Sequence, residues 1–514
     1  MDKRKSVLNI SVSIASRTIL LVAALLVRRF LIQYIGNDVN GLNSLYSSII
    51  GMLSVAELGV GSAIVFSMYS PIVAGEKSKV AALYCLYRKL YRIIGAVIFA
   101  AGIAVMPFLP HLIKDYKSMN VNVYLTFFLT LVSVVLSYLY SAKTSLIEAY
   151  KDNYITTIIL TISKIIRYAL QIAAILVWRS YIFFILCQII ETILVWCMTE
   201  LVVRQLHYDI ISMREKLDPE TKHEVGSNVK AMFMHKIGTI MVNSIDNPVI
   251  SGFVGVVILG KYMNYTIIAE VISSVIVLFF SPLTSVVGHL CAAGDMKSTK
   301  SYFNFFYCMN YILGFVFFLG YFSVIDNVVN LCFGYGLEVT RAISFVITLN
   351  YFIQYMRNAS MLFKDASGSF YYDRWKPIVE SVVNLALSLF LVNTIPEVYR
   401  VTGVIISTII TNLLICHIVE PYVLFRHFFD ESPQQYYLRN YAYIALFTLC
   451  LIFMNRLIRP CKSDIAGFFI NGFISVGLSL AALVFVFAID KEFRREVKTI
   501  GRKTMSWMRT KMVN

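Results

Sequence analysis

At 514 residues, 58% hydrophobic and 15% charged, with a mean hydropathy of +0.70, the chain is too apolar for a soluble protein and reads as a polytopic membrane protein. The net charge of +16 would suit an acidic partner, but a positive-inside bias accounts for it without nucleic acid. Nine cysteines are scattered singly with no CxxC, which argues against a disulfide framework and a zinc site.

Apolar windows of roughly 20 residues predict about fourteen transmembrane helices. The first, near 10–35, lies in ISVSIASRTILLVAALLVRRFLIQYIGNDVNGLNSLY, Ile10 to Tyr46. It carries Arg17, Arg28 and Arg29, each costing roughly 2.5 to 3.5 kcal/mol at a helix centre, so the pattern points to a water-filled cavity or an anionic ligand. The N-terminal MDKRKS resembles a signal-peptide n-region, but Arg17 interrupts the apolar run and no cleavage site follows; a retained first helix is expected.

Further spans are predicted near 42–70, 91–113, 121–146, 154–178, 181–204, 229–254, 262–288, 303–324, 341–363, 377–394, 401–425, 438–456 and 465–489. With the N-terminus inside, about 30 Lys and Arg fall on the inner side, about 9 outside and about 7 within spans. Both termini are then cytoplasmic. Two inner segments have helical amphipathicity suited to the membrane surface: Val80, Leu83, Tyr84, Tyr87 and Tyr91 beside Arg88, Lys89 and Arg92, and Phe493, Val497, Ile500, Trp507 and Met508 in the tail.

The opening stretch recurs about 219 residues later. The offset pairs Arg17 with Lys236, Gly36 with Gly255, Gly41 with Gly260 and Tyr46 with Tyr265. The glycines suit a tight turn between antiparallel helices. The expected architecture is all-α, with two six-helix lobes related by a pseudo-two-fold repeat and two C-terminal helices. The lobes are 1–206 and 228–428, joined by a cytoplasmic linker over 207–227; 429–489 holds the two added spans and 490–514 a basic amphipathic tail.

Arg17 and Arg28 are close to three helical turns apart, so they share one face of the first span, about 16 Å apart along it. Arg29 sits roughly 100° round. Lys236 joins Arg17 through the repeat, and Glu57 on the second span lies at a similar depth, where it either holds Arg17 or leaves it when an anion arrives. Asp246 occupies almost the repeat-equivalent place of Arg28, with Asn243 and Asn247 on nearby turns and Glu270 at comparable depth. Carboxylates in a low-dielectric cavity suit a proton site, or with the Asn oxygens a Na⁺ site; equally, Asp246 neutralises Arg28 across the lobes. Lys164 and Arg167 with Glu191 read as a structural pair. Arg357 has Asn350, Gln354 and Asn358 on one face, a set open to glycan hydroxyls, but Glu380 is an equally good partner for it. His235 reads as a packed or interfacial histidine.

The blocks FLIQYIGNDVNGLNSLYSSIIGMLSVAELGVGSAIVFSMYSPI, HKIGTIMVNSIDNPVISGFVGVVILGKYMNYTII and DRWKPIVESVVNLALSLFLV resemble the bacterial polysaccharide (O-antigen or capsule type) repeat-unit flippases of the multidrug, oligosaccharidyl-lipid and polysaccharide exporter superfamily. The resemblance implies a bacterial plasma-membrane protein that moves an undecaprenyl-diphosphate-linked oligosaccharide to the outer leaflet by alternating access. Membrane lipids and polysaccharide polymerase machinery are the implied partners. A hydrated diphosphate needs a cationic cavity, and Arg17, Arg28, Lys236 and Arg29 would supply it, with Asp246, Glu57 and Glu270 as ion-coupling or charge-pairing acids. Asn243, Asn247, Arg357, Asn358 and Gln354 are the candidate glycan contacts. No cofactor is expected beyond a coupling H⁺ or Na⁺. The absence of a P-loop, HExxH or nucleophile elbow speaks against an enzyme. The alternatives are a drug or cation exporter, which the basic first span disfavours, and a polysaccharide polymerase or ligase, which would need a larger outer loop.

Overall fold

The computed structural model describes residues 3–499 apart from 58–59, 115, 214, 216, 220, 223–224, 227–243, 370–371 and 459–463. Among the described residues every regular element is helical. Eleven helices among the described residues are long and apolar enough to cross a membrane, so the chain is a polytopic α-helical membrane protein. Three further expected spans are not among them. The one near 42–70 is broken by a 3₁₀ turn over Ser54–Glu57, the one near 341–363 is broken at Arg357, and the one near 229–254 is described only from residue 244. The chain forms two compact units, Met1–Gly260 and Lys261–Asn514.

In the first unit, α1 (Lys3–Tyr34), α2 (Asn37–Leu53), α3 (Val60–Ala74), α4 (Lys77–Val105), α5 (Val123–Ala149), α6 (Asn153–Trp178) and α7 (Tyr181–Leu206) precede a short α8 (Tyr208–Ser212). Apolar side chains alone do not drive helices together in lipid, so buried polar contacts and close packing matter. Tyr46 of α2 is fully buried; its hydroxyl donates to the Val123 carbonyl at 2.8 Å and lies 2.8 Å from Thr126 Oγ1. The expected pair between α6 and α7 is present, with Arg167 Nη1 2.6 Å from Glu191 Oε2.

The repeat is visible in the backbone. Gly36 has φ +144 and Gly255 has φ +125, values that a Cβ disfavours. Each turn is closed by the same bond, Gly36 N–H to Leu31 O at 3.1 Å and Gly255 N–H to Ile250 O at 3.0 Å. The helices that follow, α2 and α10 (Val256–Ala293), begin against each other. Asn37 Nδ2 donates to Val257 O at 2.8 Å and Asn40 Nδ2 to Gly260 O at 3.2 Å. Between the two turns, α9 (Asp246–Phe253) packs on α2.

The second unit contains the rest of α10, α11 (Met296–Phe333), α12 (Arg341–Met356), α13 (Asn358–Ala366), α14 (Lys376–Thr394), α15 (Arg400–Thr411), α16 (His417–His427), α17 (Gln434–Leu457) and α18 (Asp464–Ile489). Its core is aromatic: Phe352 stacks on Phe447 with centroids 3.7 Å apart, and Tyr311 on Tyr443 at 4.0 Å. Fully buried His417 bridges helices, its Nε2 3.0 Å from Ile353 O and its Nδ1 accepting from Asn440 Nδ2 at 2.9 Å.

The apolar face of the first segment expected on the membrane surface, and Phe493 of the second, are instead covered by protein, while Val497 is half-buried. Val80, Leu83, Tyr84, Tyr87 and Tyr91 are all buried, because α4 runs unbroken from Lys77 and turns that face into its own unit. In the tail, residues 491–499 are helical and Phe493 is buried against the rings of Tyr311 and Tyr443. Amphipathicity marks an apolar face without saying whether lipid or protein covers it. Ile500, Trp507 and Met508 lie outside the described residues.

Candidate functional site

On α1, Arg17 and Arg29 are exposed and Arg28 is half-buried. Arg29 continues the exposed apolar stripe of Val22 and Leu26, whereas Arg28 lies one step round the helix beside buried Val27. Arg17 makes no ion pair among the described residues. Lys236, Asn243 and His235 lie outside the described residues.

Glu57 ends the 3₁₀ turn that interrupts the second predicted span. Its carboxylate accepts from two hydroxyls, Tyr91 at 3.2 Å to Oε1 and Tyr138 at 2.9 Å to Oε2. The Tyr87 hydroxyl donates to Tyr91 at 2.8 Å and lies 3.0 Å from Ser145 Oγ. A continuous hydroxyl chain thus runs from Ser145 to a carboxylate at a helix break. Gly61 makes room for it, since a Cβ there would stand 2.8 Å from the Tyr87 hydroxyl and 2.9 Å from that of Tyr91. Such a chain ties the carboxylate to neighbouring hydroxyls through hydrogen bonds that polarise one another.

Asp246 opens α9 and is half-buried. Asn247 Nδ2 donates to Ser48 Oγ of α2 at 2.8 Å. In the second unit, exposed Glu270 lies 3.5 Å from the Tyr351 hydroxyl, Gln354 Nε2 donates to Asn350 at 3.2 Å, and Asn358 is the half-buried first residue of α13.

Arg357, between α12 and α13, sits in a buried charge cluster. Its Nε and Nη2 meet the two oxygens of Glu420 at 3.1 and 2.6 Å, its Nη1 donates to Asn412 Oδ1 at 2.5 Å, and Glu380 Oε1 lies 3.8 Å from Nη1. Lys376 Nζ bridges Glu420 at 2.6 Å and Glu380 at 2.8 Å. The four side chains carry no net charge, and the fork geometry matches guanidinium to carboxylate. Asn412 is offered by a π turn over Asn412–Cys416, between α15 and α16. Glu420 was visible in the sequence as an acid inside an apolar span, which is itself a signal, but its partners are far away in the chain. Lys376 is buried with it.

The sequence matches no protein-family model and no curated protein. The structure is similar to that of a lipid II flippase, MurJ, in an inward closed conformation, with a TM-score of 0.66 and 14% identity over 93% of this chain and 99% of that one. It is also similar to an inward-facing multidrug resistance MATE family transporter of the MOP superfamily, with a TM-score of 0.62 and 10% identity over 83% and 95% of the two chains. A MOP superfamily transporter from Pyrococcus furiosus, described as having a binding pocket of reverse polarity, gives a TM-score of 0.52 and 11% identity over 82% and 95%. At these identities the likeness establishes the fold.

Proposed function

We propose that this chain is a flippase for undecaprenyl-diphosphate-linked oligosaccharide repeat units, working by alternating access in the bacterial inner membrane with both termini cytoplasmic. The observation that carries the reading is the basic character of α1. Arg17 and Arg29 are exposed and Arg28 half-buried on a helix otherwise fit for hydrocarbon. A polyanionic headgroup is the cargo that makes such a helix worth its insertion cost. Similarity to the structure of a lipid II flippase supports a lipid-linked substrate. The Arg17–Arg28 face is proposed to receive the diphosphate, with Lys236 and Arg29 beside it. Sugar contacts are assigned to Asn243, Asn247, Gln354 and Asn358.

Glu57, held by Tyr91 and Tyr138, is the proposed proton carrier, with Asp246 and Glu270 as further ion-coupling candidates. Arg357, by contrast, has its guanidinium engaged by Glu420 and Asn412, which favours a structural role over glycan contact.

Complementation of a bacterial strain lacking its own polysaccharide flippase tests the reading. Wild-type protein should restore surface polysaccharide, and Arg17→Ala and Arg28→Ala should each reduce it at equal membrane abundance. Full polysaccharide in both variants would remove the cavity assignment. Efflux of a cationic dye, unaffected by either variant, would favour a drug exporter instead.

A further inference from the structure

The outward stripe of α4 is charged at one end and apolar along the rest. Cys85, Arg88, Lys89, Arg92, Ile93 and Ala96 line one shallow concavity of about 470 Å³. Beyond it the same stripe continues as exposed Val97 and Ile103, which marks the helix face that meets lipid. The polarity switch between Arg92 and Ile93 therefore lies at headgroup depth.

Several other cations in this unit are compensated. Lys77 pairs with Asp209, Lys143 and Arg204 share Glu200, and Arg167 pairs with Glu191. Arg88, Lys89 and Arg92 make no ion pair among the described residues, and Arg88 lies over the Tyr84 ring at 5.9 Å. Three cations within little more than one helical turn, beside an apolar wall, call for an anion that brings its own hydrocarbon.

We propose that Arg88, Lys89 and Arg92 form a binding site for the phosphate of an anionic phospholipid whose acyl chain lies along Ile93, Ala96 and Val97. Two guanidinium forks and an ammonium satisfy phosphate oxygens, and the surplus positive charge selects a net-anionic headgroup over a zwitterionic one. The site is independent of what the chain transports.

Native mass spectrometry of the full chain tests it, with phosphatidylglycerol and phosphatidylcholine of matched acyl chains offered together. Phosphatidylglycerol should be retained preferentially, and Arg88→Gln, Lys89→Gln and Arg92→Gln should lower that preference by about fivefold each, with the triple variant losing it. Lys77→Gln, a change to an exposed cation already paired with Asp209, should leave it intact. Equal retention of the two lipids, or an unaltered preference in the triple variant, overturns the site. Displacement of the lipid by inorganic phosphate at equal concentration would assign the cluster to a soluble anion and overturn the lipid assignment.

Discussion

Gly41 and Gly260 hold each other's neighbourhoods open. A Cβ on Gly41 would stand 1.9 Å from the carbonyl oxygen of Val256, and one on Gly260 would stand 2.4 Å from that of Asn37. Asn37 and Val256 are themselves partners at the repeat offset, so residue and partner exchange roles across the contact. This reciprocity is what a two-fold axis produces, where residue i meets j and j meets i.

Gly41→Ala and Gly260→Ala are therefore expected to destabilise the protein by about 1 to 3 kcal/mol each, the range for forced overpacking. Both obstacles are backbone oxygens that cannot swing aside. Gly51→Ala, whose new methyl would meet only Ser244 Oγ at 3.5 Å, should be close to neutral. Thermal unfolding in detergent, compared across the three variants, checks this.

The cluster of Arg357, Lys376, Glu380 and Glu420 yields a second expectation. Glu420→Gln removes one charge and leaves two buried cations facing Glu380 alone; breaking a buried pair in this way costs about 3 to 5 kcal/mol. Lys77→Gln breaks an exposed pair, Lys77 Nζ to Asp209 at 2.5 Å, which water screens, and should cost far less. The melting temperatures of the two variants should differ accordingly.

Glu57→Gln should leave the fold intact, since Tyr138 can still donate to the amide oxygen, but should abolish the response of transport to an imposed proton gradient. Tyr91→Phe severs the hydroxyl chain one step away and should weaken that response without removing it. Flipping measured in proteoliposomes with and without a gradient distinguishes the two. Equal responses in wild type and Glu57→Gln would move coupling to another acid.

At the second unit's C-terminal end, burial alone would raise the Asp490 carboxyl. Donation from the Tyr443 hydroxyl at 2.5 Å, from the Phe493 N–H at 3.0 Å and from Arg439 Nε at 2.7 Å outweighs it and holds the group below the usual carboxylate range. A lowered folded-state value means stability that is fully present above the unfolded value, about 3.9, and lost as the pH falls through the folded one. Docking of the 491–499 helix should thus be unchanged from pH 7 to about pH 5 and weaken only in stronger acid. Asp490→Asn should loosen it at neutral pH. Amide exchange over 491–499, corrected for intrinsic rate, reads both effects.

Much of this protein is legible in its sequence because the deciding physics is local. Run length and hydropathy determine that the helices span a bilayer, as backbone groups in hydrocarbon must bond within their own segment. Gly36 and Gly255, spaced at the repeat offset, announced the two turns, because a positive φ is a requirement of the residue itself. Arg17, Arg28 and Arg29 stood out because a charge in an apolar run needs a reason wherever it lies. Tertiary structure alone decided the partners. Glu420 lies 63 residues from Arg357 and 44 from Lys376, and nothing local to either cation names it. Likewise the apolar face of Val80 to Tyr91 was readable, but its cover was not, since a lipid tail and a protein core are equally apolar to a single helix. Burial of that face against the rest of its unit is what turned the opposite stripe, with Arg88, Lys89 and Arg92, outward.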